Sequence, residues 1–133
     1  MSVLLDTHVW VWWLTSGSPL SRAEREALDA KARRRELFLA AISPWEAQVL
    51  HTKRRLELPL PFAEWLARAA DDRMVSVLPL SIDVVLAVNA LPASFHGDPA
   101  DRLIVATART HAMPIATHDA AIRRSRVVTL WKP

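Results

Sequence analysis

The chain has 133 residues, 51% of them hydrophobic, enough to bury one core and too few for two ordinary domains, so one domain spanning residues 1–133 is expected. It contains no cysteine, which excludes disulfides, thiolate metal sites and cysteine nucleophiles and fits a reducing compartment. Net charge is modest at +3, the first apolar run has no basic residues before it and carries Asp6, and Val9 to Leu14 is far too short to cross a bilayer, so a cytoplasmic protein without membrane contact is expected.

Val3 to Leu5 is a short apolar run stopping at an acid, the pattern of a buried strand feeding a turn. Val9 to Leu14 then reads as a short, mostly buried helix. Ser21 caps a helix to about Arg35, with Glu24 completing the capping box. Leu37 to Ala41 is a second strand. Ser43-Pro44-Trp45-Glu46 opens the next helix, with Ser43 at the N-cap, Pro44 in the first helical position and Glu46 in the third, and that helix ends near Arg54. Pro61 and Phe62 start another running to about Asp72, and Val75 to Leu78 is a third strand. Ile82 to Asn89 is helical. Asp98-Pro99-Ala100-Asp101 repeats the cap pattern ahead of a helix from Pro99 to Thr110. Pro114 to Ala116 is a fourth strand and Val127 to Leu130 a fifth. Strands alternating with helices imply right-handed crossovers and an α/β fold with a mainly parallel sheet covered on both faces.

Four acids occupy equivalent places in this order. Asp6 follows the first strand, Glu46 lies in the first turn after the second, Asp101 in the first turn of its helix, and Asp119 just after the fourth strand. In an open α/β sheet that edge is where ligand crevices form, so residues remote in sequence converge there. Carboxylates a few Å apart raise one another's pKa, so a convergent set requires a cation. With no cysteine and scattered histidines the donors are hard oxygens, which favours Mg²⁺ or Mn²⁺ over Zn²⁺ and points to phosphodiester hydrolysis by metal-activated water. Thr7, Ser43 and Thr117 are neutral partners able to hold a carboxylate or a bound water.

Each residue also has a plain structural reading. Glu46 and Asp98 stand where capping residues belong, Asp101 favours the helix dipole, and Asp119 could cap a helix from Ala120 to Arg124, whereas Asp6 has no cap to serve. His8, His51, His96, His111 and His118 show no metal-ligand spacing, and a lone histidine is usually structural or solvated; His118 is the one to watch. Trp10, Trp12 and Trp13 read as core packing or a dimer contact ahead of base stacking. Arg33-Arg34-Arg35, Arg54-Arg55 and Arg123-Arg124 with Arg126 read as solvated helix ends. Setting the four site acids apart from the 14 leaves ten against 17 bases, or +7, a basic body around an acidic centre that suits a polyanionic substrate.

The stretches LLDTHVWVWWL (Leu4 to Leu14), SPWEAQV (Ser43 to Val49), LPASFHGDPADRLIVATA (Leu91 to Ala108), ATHD (Ala116 to Asp119) and VVTLW (Val127 to Trp131), in this order over nearly the whole chain, resemble a PIN-domain protein of the VapC toxin type. The resemblance implies a PIN-like three-layer α/β/α sandwich and a Mg²⁺- or Mn²⁺-dependent endoribonuclease, the toxin of a type II toxin-antitoxin pair. It places Asp6, Glu46, Asp101 and Asp119 on the four acidic, metal-binding and catalytic positions, with Asp98 and Arg102 as additional subgroup features and Thr117 as the hydroxyl before the last acid. It further implies a homodimer, silencing by a cognate antitoxin protein, and an RNA substrate that in the family is often tRNA. The chain departs from the subgroup at Leu50, where a lysine is common, at Gly97, where a basic residue is common, and near Arg54, where a small residue is.

Two other readings follow from the same residues. An aspartyl-phosphate phosphatase or receiver-like protein would use Asp6 as nucleophile, although the phosphatase pattern wants an acid where His8 stands. A non-enzymatic nucleic-acid or protein-binding domain would use the acids only as caps, and would show no metal-dependent activity.

Overall fold

The computed structural model describes residues 1–95 and 97–133; of the histidines named above, His96 lies outside the described residues. In chain order these residues form β1 (Val3–Leu5), α1 (Thr7–Trp13), α2 (Arg22–Arg33), β2 (Leu37–Ala40), α3 (Ile42–Thr52), α4 (Phe62–Ala69), β3 (Ser76–Leu78), α5 (Ile82–Asn89), α6 (Pro99–Thr110), β4 (Ile115–Ala116) and α7 (Ala120–Ser125). The sheet order is β3-β2-β1-β4 and every pairing is parallel.

Parallel strands are covered on both faces, and their composition shows it. All three residues of β1 are fully buried. Val3 and Leu5 point to one side with Leu37 and Leu39 of β2, packing on Trp10 of α1, Leu28 of α2 and Trp65 and Ala69 of α4. Leu4 points to the other side with Ala40 and Ile115, packing on Ile104, Val105 and Ala108 of α6 and Ile122 of α7. The period of two in the strands thus sorts the chain into three layers, the expected α/β/α sandwich.

The order of strands fixes where the chemistry sits. After β1 the chain steps outward through β2 and β3, then returns to lay β4 on the opposite side of β1. The crossovers therefore diverge between β1 and β4. At the carboxyl ends of that pair a crevice opens, and Asp6 follows one strand while Thr117, His118 and Asp119 follow the other.

Three expectations need correction. Val127 to Leu130 is not a strand: only Leu130 bridges Ile115, with the Ile115 N–H on the Thr129 carbonyl at 2.9 Å, because β4 is two residues long and offers little edge to pair with. Ser43 is not an N-cap. Helix α3 begins two residues earlier, at Ile42 rather than Pro44, behind Ala41 in helical conformation, which puts the Ser43 hydroxyl inside the helix and in contact with Thr7. Asp6 does have a cap to serve, since α1 starts at Thr7 rather than Val9 and Asp6 accepts the Val9 N–H at 2.8 Å. The capping box on α2 is as expected, with Glu24 N–H on Ser21 Oγ at 3.1 Å and Ser21 N–H on Glu24 Oε1 at 3.3 Å. The arginine runs are exposed at the ends of α2, α3 and α7, where a cation suits the helix dipole. Among the described residues, no helix is long and apolar enough to cross a membrane.

Candidate active site

Asp6 is the most constrained of the acids. It is 5% exposed, its Oδ1 accepts the Val9 N–H, and its Oδ2 accepts the hydroxyl of Thr117, which comes from the far end of β4. Burial pushes its carboxyl up to about 6, against the lowering effect of those two hydrogen bonds, with Asp101 adding a smaller upward push. Thr117 has a second duty: its oxygen accepts the Asp119 N–H at 3.0 Å. One hydroxyl thereby couples the first acid to the last.

Asp119 caps α7 through the Ile122 N–H at 2.9 Å and lines a cleft of about 220 Å³ with Asp6, His8, Trp12 and His118. Asp98 caps α6 through the Asp101 N–H at 3.0 Å, which holds Asp101 in the first turn. Glu46 is half-buried on α3, and burial raises its pKa; the Thr7 hydroxyl pulls it back, while Asp101 and Asp98 raise it further. Thr7 Oγ1 also lies 2.9 Å from Ser43 Oγ. A hydroxyl has one proton, so when Thr7 donates to Glu46 it is Ser43 that donates to Thr7. Ser43 is therefore a support for Glu46 through Thr7.

The electrostatics tie Asp6 and Glu46 to Asp101, and Glu46 to Asp98, while Asp119 joins through Thr117 and the shared cleft. Among the described residues, no three acidic or histidine side chains stand close enough together to cage one ion. Instead the aspartates keep local partners: Asp6, Asp98 and Asp119 each hold a helix N–H. The set still fits a hard divalent cation by its chemistry, since every donor is an oxygen and two of the carboxyls are raised by burial and by like charge, a cost that a cation removes. Arg102 reaches back to the start of its own segment, donating to the Phe95 carbonyl at 3.2 Å with its guanidinium 6.0 Å from the Phe95 ring, and so braces the approach to α6.

Two residues that the sequence marks only as a histidine without ligand spacing and a tryptophan of an apolar run also line the cleft. His8 and Trp12 are four apart on α1, the spacing that puts side chains on one helix face, and their ring centroids are 5.6 Å apart. The His118 ring stands at 74° to Trp12 with centroids 5.5 Å apart, and its Nε2 lies 2.6 Å from Glu24 Oε2.

A family model described as PIN domain matches residues 3–127. Over 134 aligned residues the chain is 40% identical to Ribonuclease VapC22 of Mycobacterium tuberculosis, covering 98% of both. Among solved structures it is similar to VapBC2 from Rickettsia felis, bound to a DNA fragment from its promoter, with a TM-score of 0.74 at 13% identity over 98% of each chain. FitAcB from Neisseria gonorrhoeae matches with a TM-score of 0.71 at 20% identity, covering 98% of this chain and 96% of that one. A toxin-antitoxin complex from Klebsiella pneumoniae matches at 0.65 and 22%, covering 96% of each chain. These structural likenesses speak to the fold.

Proposed function

The chain belongs to the PIN-domain family, and from that membership we propose that it is a divalent-metal-dependent endoribonuclease, the toxin of a type II toxin-antitoxin pair. The observation that carries the chemistry is the buried, raised carboxyl of Asp6, coupled to Asp101 by charge and to Asp119 through Thr117. Asp6, Glu46, Asp101 and Asp119 would hold the cation, Mg²⁺ or Mn²⁺, with Asp98 close by. A cation bound there would lower the pKa of a coordinated water and offset charge on the phosphate.

The chain's own groups do the positioning. Thr117 and the Val9 N–H fix the orientation of Asp6, Thr7 and Ser43 support Glu46, and the Asp98 cap sets the pitch of α6 and with it Asp101. A carboxylate of the cluster takes the proton of the attacking water. Attack of the water oxygen on phosphorus would break the bond to the leaving ribose oxygen, which takes a proton from solvent.

RNA, with tRNA as one class to test, is the proposed substrate, the cytoplasm the proposed location, and a cognate antitoxin protein the proposed silencing partner. A homodimer is proposed as well, supported by an exposed apolar face on α5, where Ile82, Val85 and Leu86 are 76%, 49% and 60% exposed at helical spacing beside exposed Leu80.

The test is incubation of the purified protein with total RNA in Mg²⁺ or Mn²⁺ and in chelator, followed by sequencing of the cut ends. The expected result is discrete cuts that require metal and disappear in Asp6→Asn and Asp101→Asn. Cleavage that persists in chelator, or in both variants, would reject the assignment.

A further inference from the structure

We propose that Trp12, flanked by His8 and His118, is the stacking platform for a base adjoining the cut phosphate; this rests on the ribonuclease reading above. The three tryptophans of α1 are not alike. Trp10 is fully buried with its Nε1–H on the Ala69 carbonyl at 3.0 Å, and Trp13 is 7% exposed with its Nε1–H on Asp29 Oδ1 at 2.9 Å. Core packing accounts for both. Trp12 is only partly buried: it touches the core and also forms a wall of the cleft that contains Asp6 and Asp119.

The rings around Trp12 are held in place. His8 lies on the same face of α1, tilted 52° to the indole, and His118, from the loop after β4, stands at 74° to it. His118 is anchored from α2 by Glu24, 94 residues away in sequence. Burial alone would push the Glu24 carboxyl up, but the hydrogen bonds from His118 and from Ser21 outweigh it and hold the carboxyl lower, so Glu24 stays charged and His118 stays tethered. A ring fixed in this way loses little freedom when a base arrives.

His118 is also shared with an adjoining groove of about 430 Å³, which carries Arg123, Lys132 and Trp131. A strand crossing His118 therefore meets aromatic rings and the site carboxylates on one side and, on the other, Arg123 and Lys132 beside Trp131, with Glu24 occupied by His118, an arrangement that suits bases and a following phosphate in turn. Bases stack on tryptophan and histidine only when splayed from a helix, so the geometry selects single-stranded or looped RNA over a duplex.

The experiment uses an oligoribonucleotide spanning a mapped cut, together with versions abasic at each nucleotide flanking it. For the parent protein one abasic position should lower kcat/KM by roughly 5- to 150-fold, the range of one base stack. Trp12→Leu should lose a similar factor on the intact RNA and nothing further on the abasic one, while Trp12→Phe should retain most of the activity. Abasic changes without effect on the parent would overturn the platform with no variant required, and so would losses in Trp12→Leu that multiply with the abasic loss. Cleavage in which Trp12 and the flanking bases are indifferent rejects this proposal alone; a parent that cuts no RNA in either metal rejects the ribonuclease reading together with it.

Discussion

At Asp6 two demands meet. One oxygen completes the α1 cap and the other takes the Thr117 hydroxyl, yet burial still raises its carboxyl from 3.8 to about 6. A raised acid favours folding in its protonated form, so this contribution is fully present below about pH 4 and is lost as pH rises through about 6. At neutral pH in chelator the ionised Asp6 is therefore a cost, and Asp6→Asn should stabilise the metal-free protein by roughly 1–3 kcal/mol at pH 7.5 and by much less at pH 4.5. Urea melts at the two pH values check this. Glu46→Gln should change stability by no more than about 1 kcal/mol while removing RNA cleavage, because the amide retains the volume and the acceptor facing Thr7 but carries no charge to offer a cation. The acids were legible in the sequence because each follows a strand or opens a helix, and so was the hydroxyl at Thr117. The contact of Ser43 with Thr7 was not, because Ser-Pro-x-Glu reads as a cap and the helix begins two residues earlier than that pattern suggests. His8, which lacks metal-ligand spacing, and Trp12, which reads as core packing or a dimer contact ahead of base stacking, carry no site signal of their own in the sequence; the fold sets both beside Asp6.

At the scale of elements, the helices with side-chain caps and strong periodicity were readable almost to the residue: α5 and α6 have the expected bounds, Ser81 and Asp98 accepting N–H groups at 3.2 and 3.0 Å. Strand length was harder, because a parallel strand is defined by its neighbours. Val127 to Leu130 has the composition of a strand and lacks a long partner, so it crosses β4 at one point. Two consequences can be measured by denaturation. Trp10→Ala should cost about 3–5 kcal/mol, since it empties the space between β1 and α4 and leaves the Ala69 carbonyl without its donor. Ala112, just beyond the cap of α6, has φ +53°, a left-handed conformation that a Cβ disfavours, so Ala112→Gly should stabilise by about 1 kcal/mol.

For the whole molecule, the sheet order gathers residues more than 100 positions apart into one crevice, while α5 packs on α6 and leaves Ile82, Val85 and Leu86 exposed. If that face joins two copies, Leu86→Glu should halve the mass measured by light scattering and leave the unfolding midpoint of the monomer nearly unchanged, because Leu86 is 60% exposed and contributes little to the core. The proposed chemistry requires the carboxylates to share a divalent cation. Anomalous scattering from a crystal soaked in Mn²⁺ tests it most directly: the expected result is a peak about 2.1–2.3 Å from oxygens of Asp6 and at least one of Glu46, Asp101 and Asp119, absent in Asp6→Asn. A crystal fully exposed to Mn²⁺ that shows no peak in this cleft, or shows one bound elsewhere on the surface, would contradict it.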